Sequence, residues 1–321
     1  MNKIYFGDCR ESLCAMVAAG VKVQTCVTSP PYFGLRDYGH AGQIGLEPTP
    51  DEFIEELVEV FRCVRDVLAD DGTLWVNIGD SYASQGGKQV AQTKHQVKGA
   101  SDGQNKGETR RPPDGLKPKD LIGIPWMLAF ALRADGWYLR QEIIWHKPNP
   151  MPESVTDRCT KAHEQIFLLS KSPRYFFDSE AVKEPVAAST VERLAQPNLE
   201  QQAGSNRVPG KTNGNMKAVG NGETRNRRSV WSVATKPYKG AHFATFPSAL
   251  IEPCILAGSA PGDVVLDPFM GSGTTAAVAI EHGRQYIGCE LNKDYGPLQD
   301  KRIAEARQKV FDRDRQSLLA I

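Results

Sequence analysis

The chain has 321 residues, 40% hydrophobic and 24% charged, with a net charge of only +1, enough for one large α/β core or two modest domains. No apolar run approaches the ~18–20 residues that cross a bilayer, and the opening residues lack a signal-peptide core, so a soluble cytoplasmic protein is expected. The 7 cysteines are scattered singly and the 6 histidines have no ligand spacing, which argues against a disulfide framework and against a metal site.

The first elements read as a strand over 3–8, a helix over 9–19 and a strand over 21–27 that ends at Ser29-Pro30-Pro31-Tyr32. Thr49-Pro50-Asp51-Glu52 is a helix start, with an N-cap Thr, Pro at the first helical position and Glu three residues after the cap. Phe53, Ile54, Leu57, Val58, Phe61, Val64 and Leu68 then share one helical face, and Asp71-Gly72 stops the helix before a strand over 73–78. Residues 84–120 hold six glycines and no Phe, Tyr or Trp, too little to build a core, and are expected to form a mobile basic insertion.

Periodicity resumes with a helix over 121–134 and a strand over 137–145, closed by His146-Lys147-Pro148-Asn149-Pro150. A strand over 165–170 precedes a second polar region that runs to about 239. The C-terminal part alternates regularly: strand 263–267, turn 268–273, helix 274–282, strand 285–290, helix 295–310. Such alternation predicts an α/β fold, with a mainly parallel, twisted sheet and helices on both faces.

Charge is unevenly placed. Residues 84–120 carry eight Lys/Arg against four acids and residues 203–229 six against one, so these stretches hold +4 and +5 while the rest of the chain holds −8. Basic stretches rich in Gly and Asn suit a phosphate backbone, and they suit a solvated loop equally well.

The turn Asp267-Pro268-Phe269-Met270-Gly271-Ser272-Gly273-Thr274-Thr275 sets a Gly-x-Gly between strand and helix, where a ligand can approach the backbone and meet unpaired helix N–H groups. The P-loop spacing and its lysine are missing. The turn fits G-x-G-x-x-A, with Glu290 nineteen residues after Gly271 as an acid for ribose hydroxyls. On this turn alone, a nicotinamide cofactor and a purely structural role both stay open.

Taken together, Ser29-Pro30-Pro31-Tyr32 and Asp267–Thr275 resemble the amino-group DNA methyltransferases that use S-adenosylmethionine. The order matches the family's beta arrangement: catalytic motif first, cofactor glycine loop last, target-recognition region between. The resemblance implies a circularly permuted Rossmann-like methyltransferase fold. A catalytic half would span 1–177, a target-recognition region 178–239 and a cofactor-binding half 240–321. It implies cofactor contacts from Asp8, Cys9, Phe246, Ser248, Asp267, Phe269, Gly271, Gly273, Thr274, Thr275 and Glu290, with Trp75–Asp80 behind the catalytic loop and Trp145–Pro150 lining the target-base pocket. It further implies double-stranded DNA as partner, with phosphate or base contacts from Arg207, Lys211, Arg225, Arg227 and Arg228, and allows a homodimer and a cognate restriction endonuclease.

The tetrapeptide suits this chemistry. An exocyclic amino nitrogen is a poor nucleophile because its lone pair is delocalised into the ring. The Ser29 hydroxyl and the Pro30 carbonyl could each hold one amino hydrogen and free the lone pair for direct displacement. The Pro30-Pro31 pair fixes φ and holds each preceding residue out of the α region, so the carbonyl is aimed in advance. Tyr32 would stack on an extruded base. A leading Ser is commoner among the family's cytosine-N4 enzymes and Asp or Asn among its adenine-N6 enzymes, which favours cytosine, with adenine N6 as the alternative. A catalytically silent DNA-binding protein and an NAD-dependent oxidoreductase are the more distant readings.

Overall fold

The computed structural model describes residues 1–35, 37, 39–83, 115–195, 223–235 and 246–319. Most of the 84–120 insertion, and Arg207 and Lys211 of the recognition region, lie outside these residues.

The strands are β1 (Lys3–Phe6), β2 (Val23–Thr28), β3 (Leu68–Ile78), β4 (Tyr138–His146), β5 (His163–Ser170), β6 (Glu184–Pro185), β7 (Thr224–Arg225), β8 (Val230–Ser232), β9 (Val264–Asp267) and β10 (Gln285–Glu290). The helices are α1 (Cys9–Ala18), α2 (Pro50–Val67), α3 (Ile124–Ala134), α4 (Ala188–Leu194), α5 (Ser248–Gly258), α6 (Thr274–Glu281) and α7 (Gly296–Leu319). One eight-stranded sheet runs in the order β1-β10-β9-β2-β3-β5-β4-β8, and β6 pairs with β7 in a separate ribbon. Every pair in the large sheet is parallel except those of β5, which runs antiparallel to β3 and β4.

Two apolar layers cover the sheet. Leu13, Phe53, Leu57, Phe61, Leu128 and Leu132 from α1, α2 and α3 pack with β2 and β3 on one side. Leu250, Ile255, Ala276, Ala279 and Ile303 from α5, α6 and α7 pack with β8, β9 and Trp75 on the other. The expected start of α2 is built as a capping box: the Glu52 amide donates to Thr49 Oγ1 at 3.2 Å, and the Thr49 amide donates to Glu52 Oε2 at 3.0 Å.

Several elements differ from the sequence reading. The polar region before residue 239 supplies β8, which pairs with β4 through Ile144, Trp145 and His146; three residues are too few to show a period. Helix α5 is buried on most sides and carries Pro253 inside it, so neither an apolar stripe nor a breaker-free run announces it. Strand β3 begins at Leu68, directly after α2, and pairs with Val23 across a register shift. Helix α7 runs to Leu319 rather than 310.

Helix α5 sits unusually close to the sheet. A Cβ at Gly258 would lie 2.6 Å from Thr25 Oγ1 and 2.8 Å from Thr73 Oγ1, two buried hydroxyls that bond each other at 2.9 Å. Gly258→Ala is expected to lower stability by about 1–2 kcal/mol, overpacking outweighing the gain in helix propensity. Urea denaturation checks it; an unchanged or higher midpoint would refute this reading of the α5–sheet contact.

Candidate active site

The parallel strands finish along one edge of the sheet, which brings together Phe6, Thr28, Ile78, His146, Asp267 and Glu290. In open α/β sheets, the crevice outside such strand ends is where ligands bind.

The glycine loop leaves β9 at Asp267. Gly271 (φ 52°) and Gly273 (φ 85°) adopt the left-handed conformation that admits glycine without strain. Gly273 caps α6 with no side-chain hydrogen bond to the helix N–H groups. The loop is held from both sides. Glu290 Oε2 accepts from the Gly271 amide at 2.8 Å, and Glu290 Oε1 accepts from the Asn292 amide at 2.8 Å. Buried Gln299, on α7, donates to the Gly271 carbonyl at 2.7 Å, while Arg302 donates to the Ser272 hydroxyl at 2.9 Å and also to the Thr274 hydroxyl. Burial pushes the Glu290 carboxyl up to about 7.

Asp267 is 1% exposed and turned inward. Its Oδ1 accepts from the Thr28 hydroxyl at 2.6 Å and from the Phe269 amide at 3.0 Å, and its Oδ2 accepts from the Thr275 hydroxyl at 2.6 Å. Burial pushes its pKa from 3.8 to about 6, against the pull of the Thr275, Thr28 and Phe269 donors. Asp267 and Thr275 therefore shape the loop from behind, whereas Gly271 and Phe269 lie on its half-exposed side.

The Thr28 hydrogen bond sets the Ser29-Pro30-Pro31-Tyr32 turn next to this loop. Pro30 is buried, while Ser29, Pro31 and Tyr32 are half-buried. Downstream, Phe33 packs on Phe53 of the core at 5.5 Å between ring centroids, and the Gly34 amide bonds the Gly45 carbonyl at 2.8 Å. The Tyr32 ring lies directly against Gly79, where a Cβ would come within 2.5 Å of its Cε2. Its hydroxyl donates to Glu164 Oε2 at 2.7 Å.

The remaining predicted contacts fall into three groups. Asp8 caps α1, its Oδ1 accepting from the Arg10 amide at 2.8 Å while Arg10 bridges on to Glu56 at 2.6 Å; the Arg10 bonds hold the Asp8 carboxyl below its usual range. Cys9 is buried, and burial pushes its thiol up to about 12, which suits packing rather than chemistry. Half-buried Phe246 and exposed Ser248 stand at the N-terminus of α5. Arg225 and Arg228 both donate to Glu184 Oε1, at 2.9 and 2.7 Å, and Arg227 lies 5.4 Å over the Trp231 ring. These arginines precede β8, whereas the end of β8 meets His146 at the rim, with His146 Nδ1 2.7 Å from the Ser232 hydroxyl. Among the described residues no cluster of three or more His, Cys, Asp or Glu could hold a metal, and no helix is long and apolar enough to cross a membrane.

Thr28, Gln299, Arg302 and Glu164 escaped the sequence reading. The first three act through loops far from them in the chain. Glu164 had a signal, a lone acid at the entrance to the apolar run Ile166–Leu169.

Residues 23–299 match the N6/N4 DNA methylase family. The chain is 48% identical over 310 residues to Type II methyltransferase M.SmaI of Serratia marcescens, covering 95% of this chain and 91% of that protein. It is 49% identical over 284 residues to M.Cfr9I of Citrobacter freundii, covering 88% and 81%. In fold it is similar to PvuII DNA methyltransferase (cytosine-N4-specific), with a TM-score of 0.60 at 17% identity over 97% of this chain and 92% of that one. A putative DNA modification methylase of Thermus thermophilus, complexed with S-adenosyl-L-methionine, gives a TM-score of 0.56 at 23% identity over 95% and 94%. The chain belongs to the N4/N6 amino-group DNA methylase family and is a DNA methyltransferase. This removes the nicotinamide and catalytically silent readings.

The raised Asp267 pKa has a consequence for stability. Its contribution is complete below the unfolded value of 3.8 and is lost as pH rises through about 6, a difference of about 3 kcal/mol. Asparagine can accept from Thr28 and Phe269 and donate to the Thr275 hydroxyl. Asp267→Asn is therefore expected to flatten the decline in unfolding free energy between about pH 4 and 6, with Glu290, whose carboxyl is raised from 4.5 to about 7, supplying the decline that remains. Parallel pH profiles for the two proteins would refute the assignment.

Proposed function

We propose that this chain moves a methyl group from S-adenosylmethionine to an exocyclic amino group of a base in duplex DNA, with N4 of cytosine favoured over N6 of adenine. The observation that carries it is the 2.6 Å bond from Thr28 to Asp267, which fastens the catalytic tetrapeptide to the glycine loop across 239 positions of sequence. The residues present fit the cofactor. A Cβ on Gly271 would meet nothing nearer than the Phe269 carbonyl at 3.9 Å, so the loop leaves room for a ligand against its backbone. The uncapped N-terminus of α6 and the Glu290 carboxylate add donors and an acceptor suited to a nucleoside.

The cofactor supplies an electrophilic methyl on sulfonium. The protein's part is positioning. Gly271, Gly273 and Thr274 would line its binding loop, Phe269 would pack beside it, Phe246 and Ser248 stand at the α5 end, and Glu290 would accept from the ribose hydroxyls. The Ser29 hydroxyl and the Pro30 carbonyl accept hydrogen bonds from the two amino hydrogens of the base, one of which leaves as a proton once the methyl is transferred, and Tyr32 gives a stacking floor for a base turned out of the duplex. The preference for cytosine rests on the leading Ser29. The Type II relatives support a companion restriction endonuclease, and family resemblance supports a homodimer. Arg228, whose side chain is 69% exposed beside Glu184, keeps outward N–H groups for a DNA phosphate, with Arg207, Lys211, Arg225 and Arg227 as further DNA contacts.

Tritiated methyl transfer to unmethylated, amplified genomic DNA tests this. Ser29→Ala is expected to lower the rate about 100-fold or more, as removal of one preset polar contact does, and Tyr32→Ala about 10- to 100-fold, the worth of one stacked base. Nucleoside digestion and mass spectrometry should find N4-methylcytosine. N6-methyladenine would overturn the base preference, and full activity of both variants would overturn the catalytic assignment.

A further inference from the structure

Glu164 stands at the rim where three segments converge, its side chain 14% exposed. Its Oε2 accepts from the Tyr32 hydroxyl at 2.7 Å and from Asn77 Nδ2 at 3.4 Å. Its Oε1 is ion-paired with Lys147, whose ammonium lies 4.3 Å over the Trp145 ring. The corner bearing these groups is closed by the Lys147 amide bonding the Ala162 carbonyl at 2.8 Å, and Lys161 ties it to the turn after β3 by donating to the Asp80 carbonyl at 3.1 Å. The carboxylate therefore has a rigid mount and a matching cation, and its other oxygen takes its shortest bond from the Tyr32 phenol.

Tyr32 needs such a partner. The prolines before it fix its backbone, but a tyrosine ring still turns about two side-chain bonds. In this structure the bare backbone of Gly79 lies against the ring and Glu164 holds its hydroxyl. A neutral acceptor would hold the phenol less firmly than a carboxylate, because hydrogen bonds to ionised groups are the stronger ones.

We propose that Glu164 is a positioning residue for methyl transfer, holding the Tyr32 ring in the orientation that receives the target base, with Lys147 keeping the carboxylate in place. This rests on Tyr32 being the stacking floor. Loss of the contact leaves cofactor binding intact and misplaces the base, a kind of error that lowers turnover rather than affinity for the methyl donor.

The test is a double-mutant cycle on the full chain, with steady-state kcat and the KM for S-adenosylmethionine measured on amplified genomic DNA. Tyr32→Phe and Glu164→Ala are each expected to lower kcat about tenfold with KM for the cofactor unchanged; Glu164→Ala should also lower the melting temperature, because Lys147 is left without its carboxylate, whereas Tyr32→Phe should not. The double variant should lose little more than either single one. Glu164→Gln, which keeps a carbonyl acceptor for the phenol, should recover part of the loss. Losses that multiply in the double variant, or a Glu164→Ala defect confined to melting temperature or cofactor KM, would overturn the proposal while leaving Tyr32 in its role. Full activity of Tyr32→Ala would overturn the stacking-floor reading itself and this proposal with it.

Discussion

A carboxylate removed from water holds the candidate active site together. Asp267 ends β9 with both oxygens occupied by protein donors, and one of those donors is the hydroxyl of Thr28 at the end of the neighbouring β2. Burying a carboxylate costs several kcal/mol unless it is fully hydrogen-bonded, and here three bonds offset part of that cost, the remainder showing as a pKa raised to about 6. The geometry they fix is the distance between two functional turns. Thr28 precedes Ser29 directly, and Asp267 precedes the glycine loop directly, so a single buried interaction couples the two.

Around that joint, the protein relies on stiffness. The tetrapeptide is stiffened by proline, the glycine loop by Glu290 below it and by Gln299 and Arg302 of α7 behind it. Left-handed glycines let the loop turn sharply without side chains in the way. Transfer of a methyl group needs no bond to the protein, only two reactants held in line, and preset geometry is the form of catalysis that such a reaction can use.

Basic residues in the sequence are not all free in the structure. Arg225 and Arg228 share one carboxylate oxygen of Glu184 and hold the β6–β7 ribbon to the segment before β8, while Arg227 covers Trp231. A count of charges sees only +5 over that stretch. Packing then decides which guanidinium groups brace the fold, and Arg228 keeps more of its side chain exposed than Arg225 does.

The sequence by itself determined the elements with local causes. The capping box of α2, the alternation of strands and helices in the C-terminal part, and the two motifs that define the family all lie within windows of a dozen residues, where periodicity and turn chemistry act. It did not show α5, whose apolar faces and internal Pro253 leave no periodic stripe, nor β8, whose pairing with β4 depends on residues more than 80 positions away. Only the tertiary structure decided that Thr28 and Asp267 meet, that α7 backs the glycine loop, and that Glu164 reaches the phenol of Tyr32. Each of these contacts joins side chains on different strands or helices, and a hydrogen bond across a sheet edge leaves no spacing in the chain for a sequence pattern to carry.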